Sequence, residues 1–147
     1  MGLQVEVKNQ AVEPELRARS LWLFVGWALV LSVVYLSLAP VAIETGVEQG
    51  DKLLHAFAYG TLMLWFANLY DGPSRRLMQA AALLAMGIAL EFVQRGTGYR
   101  TFEVADMLAD AVGVSAGWVL APPRMPNFLR GIEKIFRSVR NPLRKLP

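Results

Sequence analysis

Residues 91–117 read EFVQRGTGYRTFEVADMLADAVGVSAG, and the fold turns on how this stretch is interpreted. It opens as the end of one apolar helix, passes through a glycine-containing turn and enters a second apolar helix. Glu91 and Gln94 lie three apart in the first helix. Asp106, Asp110, Gly113 and Gly117 follow at spacings of four, three and four, which puts both aspartates and both glycines on one helical stripe. Ionisable groups in a membrane-type helix cost roughly 2.5–3.5 kcal/mol each, so they require a partner or a purpose. Asp51, Lys52, His55 and Tyr59 form a second polar cluster, at the start of an earlier helix, and are the candidate partners.

Composition places those helices in a bilayer. Hydrophobic residues make up 54% of a 147-residue chain, and its mean hydropathy is +0.36, too apolar for a soluble domain of this size. The absence of cysteine excludes disulfides and thiolate metal sites. Basic residues concentrate in the C-terminal segment, beside an apolar span. They point to anionic lipid headgroups and not to nucleic acid.

Working outward, residues 1–19 are a polar tail of mixed charge, with at most a helical turn after Pro14. Residues 21–39, LWLFVGWALVLSVVYLSLA, carry no charge and match the roughly 20 apolar residues needed to cross a bilayer. A short loop at 41–50 carries Glu44 and Glu48. A second span runs from Asp51, a candidate N-cap, to Tyr70. Ser74 is a candidate cap for the third, from Leu77 to Gln94, and Thr101 for the fourth, which Pro122 and Pro123 stop. The expected fold is all-α: an integral membrane bundle of four transmembrane helices over 20–121, with a C-terminal basic amphipathic helix within 122–147. In that last helix Phe128, Leu129, Ile132, Ile135, Phe136 and Val139 share one face, and Arg130, Lys134, Arg137 and Arg140 the other, as for a helix lying on an anionic membrane surface.

Short-loop lysine and arginine set orientation. Of the 15 such residues, all but Lys52, Arg95 and Arg100 fall on the side shared by the two termini and the 71–76 loop. Both termini are therefore expected in the cytoplasm, and the polar groups at 51–59, 91–94 and 103–110 fall in the outer half of the bilayer.

Asp-Lys-x-x-His-x-x-x-Tyr at 51–59, Glu-x-x-Gln at 91–94, Arg100 and Asp-x-x-x-Asp-x-x-Gly at 106–113 together resemble the VanZ-like family of small bacterial membrane proteins. The resemblance covers about residues 20–121. The chain carries Asp110 where members often have Asn, and its turn before Arg100 is not the usual Pro-Gly-Arg. The founding member is associated with resistance to the glycopeptide teicoplanin. The resemblance thus implies a role in the envelope of a bacterium, at its cytoplasmic membrane, without implying a reaction.

The candidate site residues are Asp51, Lys52, His55, Tyr59, Glu91, Gln94, Arg100, Asp106 and Asp110. His55, the one histidine, has the chemistry of a proton acceptor near neutral pH and equally that of an interfacial group hydrogen-bonded to a carboxylate. Lys52 can neutralise Asp106 or Glu91 or reach out to headgroups. Carboxylates and imidazole suit a divalent cation. One histidine without fixed ligand spacing is no metal signature, however, and neither metal nor cofactor is expected. Gly113 and Gly117 suit close helix packing. Arg95 and Arg100 suit a lipid phosphate or simple solvation. No nucleophile motif accompanies these groups, so no catalytic residue is assigned and enzymatic activity stays open. Two function classes remain. In one, the cluster binds an envelope lipid or a lipid-linked precursor. In the other, it is an ion-paired network inside a scaffold or partner subunit.

Overall fold

The computed structural model describes residues 16–40 and 49–140. Most of the N-terminal tail, the Glu44/Glu48 loop and the last seven residues of the basic tail lie outside the described residues. Those described form five helices and no strand: α1 (Arg19–Leu38), α2 (Gly50–Leu69), α3 (Pro73–Thr97), α4 (Val104–Leu120) and α5 (Phe128–Arg140).

Three helix starts differ from the sequence expectation. Asp51 lies inside α2, which begins after Gln49 in the left-handed region at φ 59°. Ser74 lies inside α3, because Pro73 takes the first helical position, where its fixed φ suits the helix and its missing N–H costs nothing. Glu103, not Thr101, precedes α4, and the Thr101 hydroxyl donates to the Glu103 carboxylate at 3.1 Å.

The glycine stripe of α4 decides the packing. α2 and α4 run side by side in the same direction and form the most extensive contact in the molecule. A side chain at Gly113 would collide with the Ala56 carbonyl, and one at Gly117 with the Gly60 carbonyl. Only hydrogen at these positions lets the two backbones touch. Tyr59, Leu62, Met63, Phe66, Leu83 and Val114 fill the core around that contact.

The outer surface is the reverse of a soluble protein's. Phe24, Trp27, Leu31 and Tyr35 on α1, Leu53 and Phe57 on α2, Phe92 on α3, and Leu108 and Val112 on α4 are all exposed. α1 and α3 are long and apolar enough to cross a membrane, and almost none of α1 is buried within the chain. α2 carries Asp51, Lys52 and His55 in its first turns, and α4 has only 17 residues.

α5 docks by its first turn. Leu129 is fully buried, and the Phe128 ring packs on Trp65 with centroids 5.7 Å apart. Asn68, buried in the last turn of α2, accepts the Phe128 N–H at 3.1 Å, and Asn127 donates to the Asn68 carbonyl at 2.8 Å. The Glu133 carboxylate accepts from the backbone N–H groups of Arg17 and Ala18 and from Trp22 Nε1, at 2.9–3.0 Å. It thereby supplies α1 with an N-terminal acceptor from a distant segment. Ile135, Phe136 and Val139, farther along the same apolar face, stay exposed.

Candidate functional site

The start of α2, the end of α3 and the start of α4 meet at one end of the bundle. α4 delivers Asp106 and Asp110 from the stripe that carries the glycines, so the close α2 contact presses both carboxylates against the first turns of α2. His55 Nδ1 lies 2.9 Å from Asp110 Oδ1, and Nε2 lies 3.7 Å from Asp106 Oδ2. Lys52 Nζ lies 2.5 Å from both Asp51 and Glu103, and 3.1 Å from Asp106 Oδ1 without hydrogen-bond alignment. From α3, Glu91 accepts the Glu103 backbone N–H on Oε2 at 2.9 Å, while Oε1 is buried with no hydrogen-bond partner. Tyr59 is buried beside Gly87, whose missing side chain leaves the room that Asp110 Oδ2 occupies.

Five carboxylates thus converge on one lysine and one histidine. Glu103, outside the helices, shows the effect of the lysine: the hydrogen bond from Lys52 holds its carboxyl below the ordinary glutamate range. Sequence reading did not single out Glu103. Local spacing gives it no signal, because the residue it meets is 51 positions away.

Gln94 and Arg100, expected with the carboxylates, turn to α1. Gln94 Nε2 donates to the Ser37 carbonyl at 2.8 Å, and the Tyr99 hydroxyl to the Leu38 carbonyl at 2.6 Å. Arg100 donates to the carbonyls of Ala39 and Leu36 at 3.1 and 3.4 Å. The last carbonyls of a helix have no partners within it, and a cation there complements the helix dipole, which is why the end of α1 draws these donors. Arg95 is exposed.

Between α1 and α2 runs a cleft of about 440 Å³, lined along its length by Leu29, Val33, Leu36, Leu54, Ala58 and Leu62. Asp51, His55, Gln94 and Arg100 also line it. The site therefore joins an apolar channel to a charged cluster.

A family profile described as VanZ/LLP1 matches residues 5–129, most of the chain and all four helices that build the site. The chain belongs to the VanZ/LLP1 family. An uncharacterised protein of Schizosaccharomyces pombe is 32% identical to this VanZ/LLP1 chain over 108 residues, which covers 71% of the chain and 64% of the relative. The chain thus spans somewhat less than two thirds of that relative's length. No solved structure matches it.

Proposed function

We propose that this VanZ/LLP1 protein is a four-span membrane protein that binds a lipid or lipid-linked envelope intermediate. The ligand's apolar chain lies in the α1–α2 cleft and its headgroup meets Asp51, His55, Gln94 and Arg100. The cleft carries the proposal: it is apolar along its length, charged where it meets the cluster, and of a size that takes part of an acyl chain. The exposed apolar residues on α2 and α4, as well as on α1 and α3, favour four spans. With four spans, the lysine and arginine bias favours both termini in the cytoplasm and the cluster at the opposite face. The bare apolar face of Ile135, Phe136 and Val139, next to Lys134, Arg137 and Arg140, favours anionic lipid as a neighbour of α5. A relative in fission yeast favours a membrane lipid over a ligand confined to bacterial walls. A glycopeptide-resistance role would then act through lipid handling at the cytoplasmic membrane.

One observation favours a second reading. Lys52 bridges α2 to the segment before α4 through Glu103 and to α4 through Asp106, as an ion-paired strut would. A phospholipid with a photoreactive acyl chain separates the two. Adducts concentrated on Leu29, Val33, Leu54, Ala58 and Leu62, and lost when Ser32→Trp fills the cleft, support ligand binding. Adducts spread evenly over the outward faces of all four helices contradict it.

A further inference from the structure

We propose that His55, Glu91 and Asp106 form a binding site for one divalent cation with nitrogen and oxygen preference, of the manganese or zinc class. The three residues come from three different helices, and their ligand atoms lie within 4.8 Å of one another. Each has its second polar atom beside a neighbouring charged or polar group. Asp110 Oδ1 lies 2.9 Å from His55 Nδ1, the Glu103 N–H binds Glu91 Oε2 at 2.9 Å, and Lys52 Nζ stands 3.1 Å from Asp106 Oδ1. His55 Nε2, Glu91 Oε1 and Asp106 Oδ2 remain as the ligand atoms assigned to the ion. A carboxylate on the far nitrogen of a histidine fixes its tautomer and raises its basicity as a ligand, the usual outer-shell arrangement of metal sites.

An independent observation also points to a cation. Glu91 is 1% exposed, yet Oε1 has no partner, and Asp110, 2% exposed, has Oδ2 in the same condition. A buried carboxylate oxygen without a donor is costly and calls for a positive charge nearby. Lys52 cannot serve both sets of acids. It is already shared among Asp51, Glu103 and Asp106, and in that second acidic group its ammonium takes the place a metal would occupy.

The donor set decides the class of metal. One imidazole and two carboxylates suit Mn²⁺ or Zn²⁺ better than Ca²⁺, which takes oxygen ligands alone, and the chain has no cysteine for thiophilic ions. Ligand atoms roughly 2.1 Å from a metal stand about 3–4 Å apart, so the 3.7 Å between Nε2 and Asp106 Oδ2 already fits. Binding requires the wider separations to close by about 1 Å, within reach of a carboxylate rotation. With three protein ligands the ion keeps open positions, and His55 also lines the lipid cleft. The metal site itself does not require a lipid.

The full-length chain, purified without a histidine tag and stripped with chelator in lipid-free detergent, is titrated with Mn²⁺ and followed by electron paramagnetic resonance. The expected result is one saturable Mn²⁺ per chain, with the echo modulation of a coordinated imidazole. His55 is the only histidine, so that signal locates the ion without any variant. Glu91→Gln should weaken Mn²⁺ binding at least tenfold. Failure to saturate at one equivalent, bound Mn²⁺ without imidazole modulation, or unchanged affinity in folded Glu91→Gln would each overturn the site. Photolabelling of the cleft reads the lipid proposal separately.

Discussion

His55 Nδ1 and Asp110 Oδ1, 2.9 Å apart and 55 residues apart in sequence, tie α2 to α4 at the charged end of the bundle. The contact fixes which edge of the imidazole is turned towards Asp106 and Glu91 and which is not. Asp110→Asn keeps an acceptor for Nδ1–H, whereas Asp110→Ala leaves it bare. The alanine variant should lose about 1–3 kcal/mol relative to wild type, and the asparagine variant distinctly less. Thermal unfolding in micelles provides the comparison. Equal losses in the two variants would show that the hydrogen bond is not what joins the helices.

Gly113 lies against the Ala56 carbonyl where α2 and α4 pack backbone to backbone. Gly113→Ala must push backbone against backbone, and overpacking of this kind costs about 1–3 kcal/mol. The same substitution at Gly96, where nothing lies within 4 Å, should leave stability unchanged or slightly raised. The two melting curves check this, and equal shifts would contradict the packing.

Glu133 joins α5 to the start of α1 through three donors. Partial burial pushes its carboxyl up, but the N–H donors from Ala18, Trp22 and Arg17 outweigh this and hold it below its ordinary value of 4.5. A depressed carboxylate stabilises fully above the unfolded value and loses that contribution as pH falls through the folded one. Wild type should therefore lose the Glu133 contact with the start of α1 only below about pH 4.5, while Leu129 and Phe128 stay packed. Glu133→Gln should lack that acid-dependent step. Hydrogen exchange at the Arg17 and Ala18 amides reports both, and an identical pH profile in the two proteins would contradict the coupling.

The turns at the two ends of α3 should face opposite sides of the membrane. The chain has no cysteine, so Ser74→Cys and Gly96→Cys each introduce a single thiol at an exposed position. In intact cells an impermeant thiol reagent should label residue 96 and spare residue 74. Labelling of 74 alone would invert the topology, and labelling of both would remove the third span.

The helices and the polar stripe were readable because apolar runs and three-to-four spacing survive in one dimension. Asp106, Asp110, Gly113 and Gly117 are all buried on one face of α4, as their spacing requires. Partnerships between helices were less readable. Gln94 and Arg100 resemble members of the acidic cluster in sequence, but the unsatisfied carbonyls closing α1 draw both away. Glu103 and Glu133 gave no local signal, because what each residue does is set by a segment 51 or more than 110 residues away. The three ligand atoms of the proposed metal site come from three helices, so no spacing rule could mark them. Asn68 was not singled out, because its partner segment begins 59 residues later.

The central claim is that the cleft beside the cluster takes a lipid. Ser32 lies on the exposed side of α1 and lines that cleft, so Ser32→Trp fills it without entering the core. The deciding measurement is the melting temperature of the delipidated full chain, wild type and Ser32→Trp, with and without added phosphatidylglycerol. Ligand at ten times its Kd contributes roughly 1.4 kcal/mol, a rise of several degrees for a chain of this size. Wild type should show that rise, and Ser32→Trp, equally stable without lipid, should not. The same rise in both proteins, or none in wild type, would contradict the account.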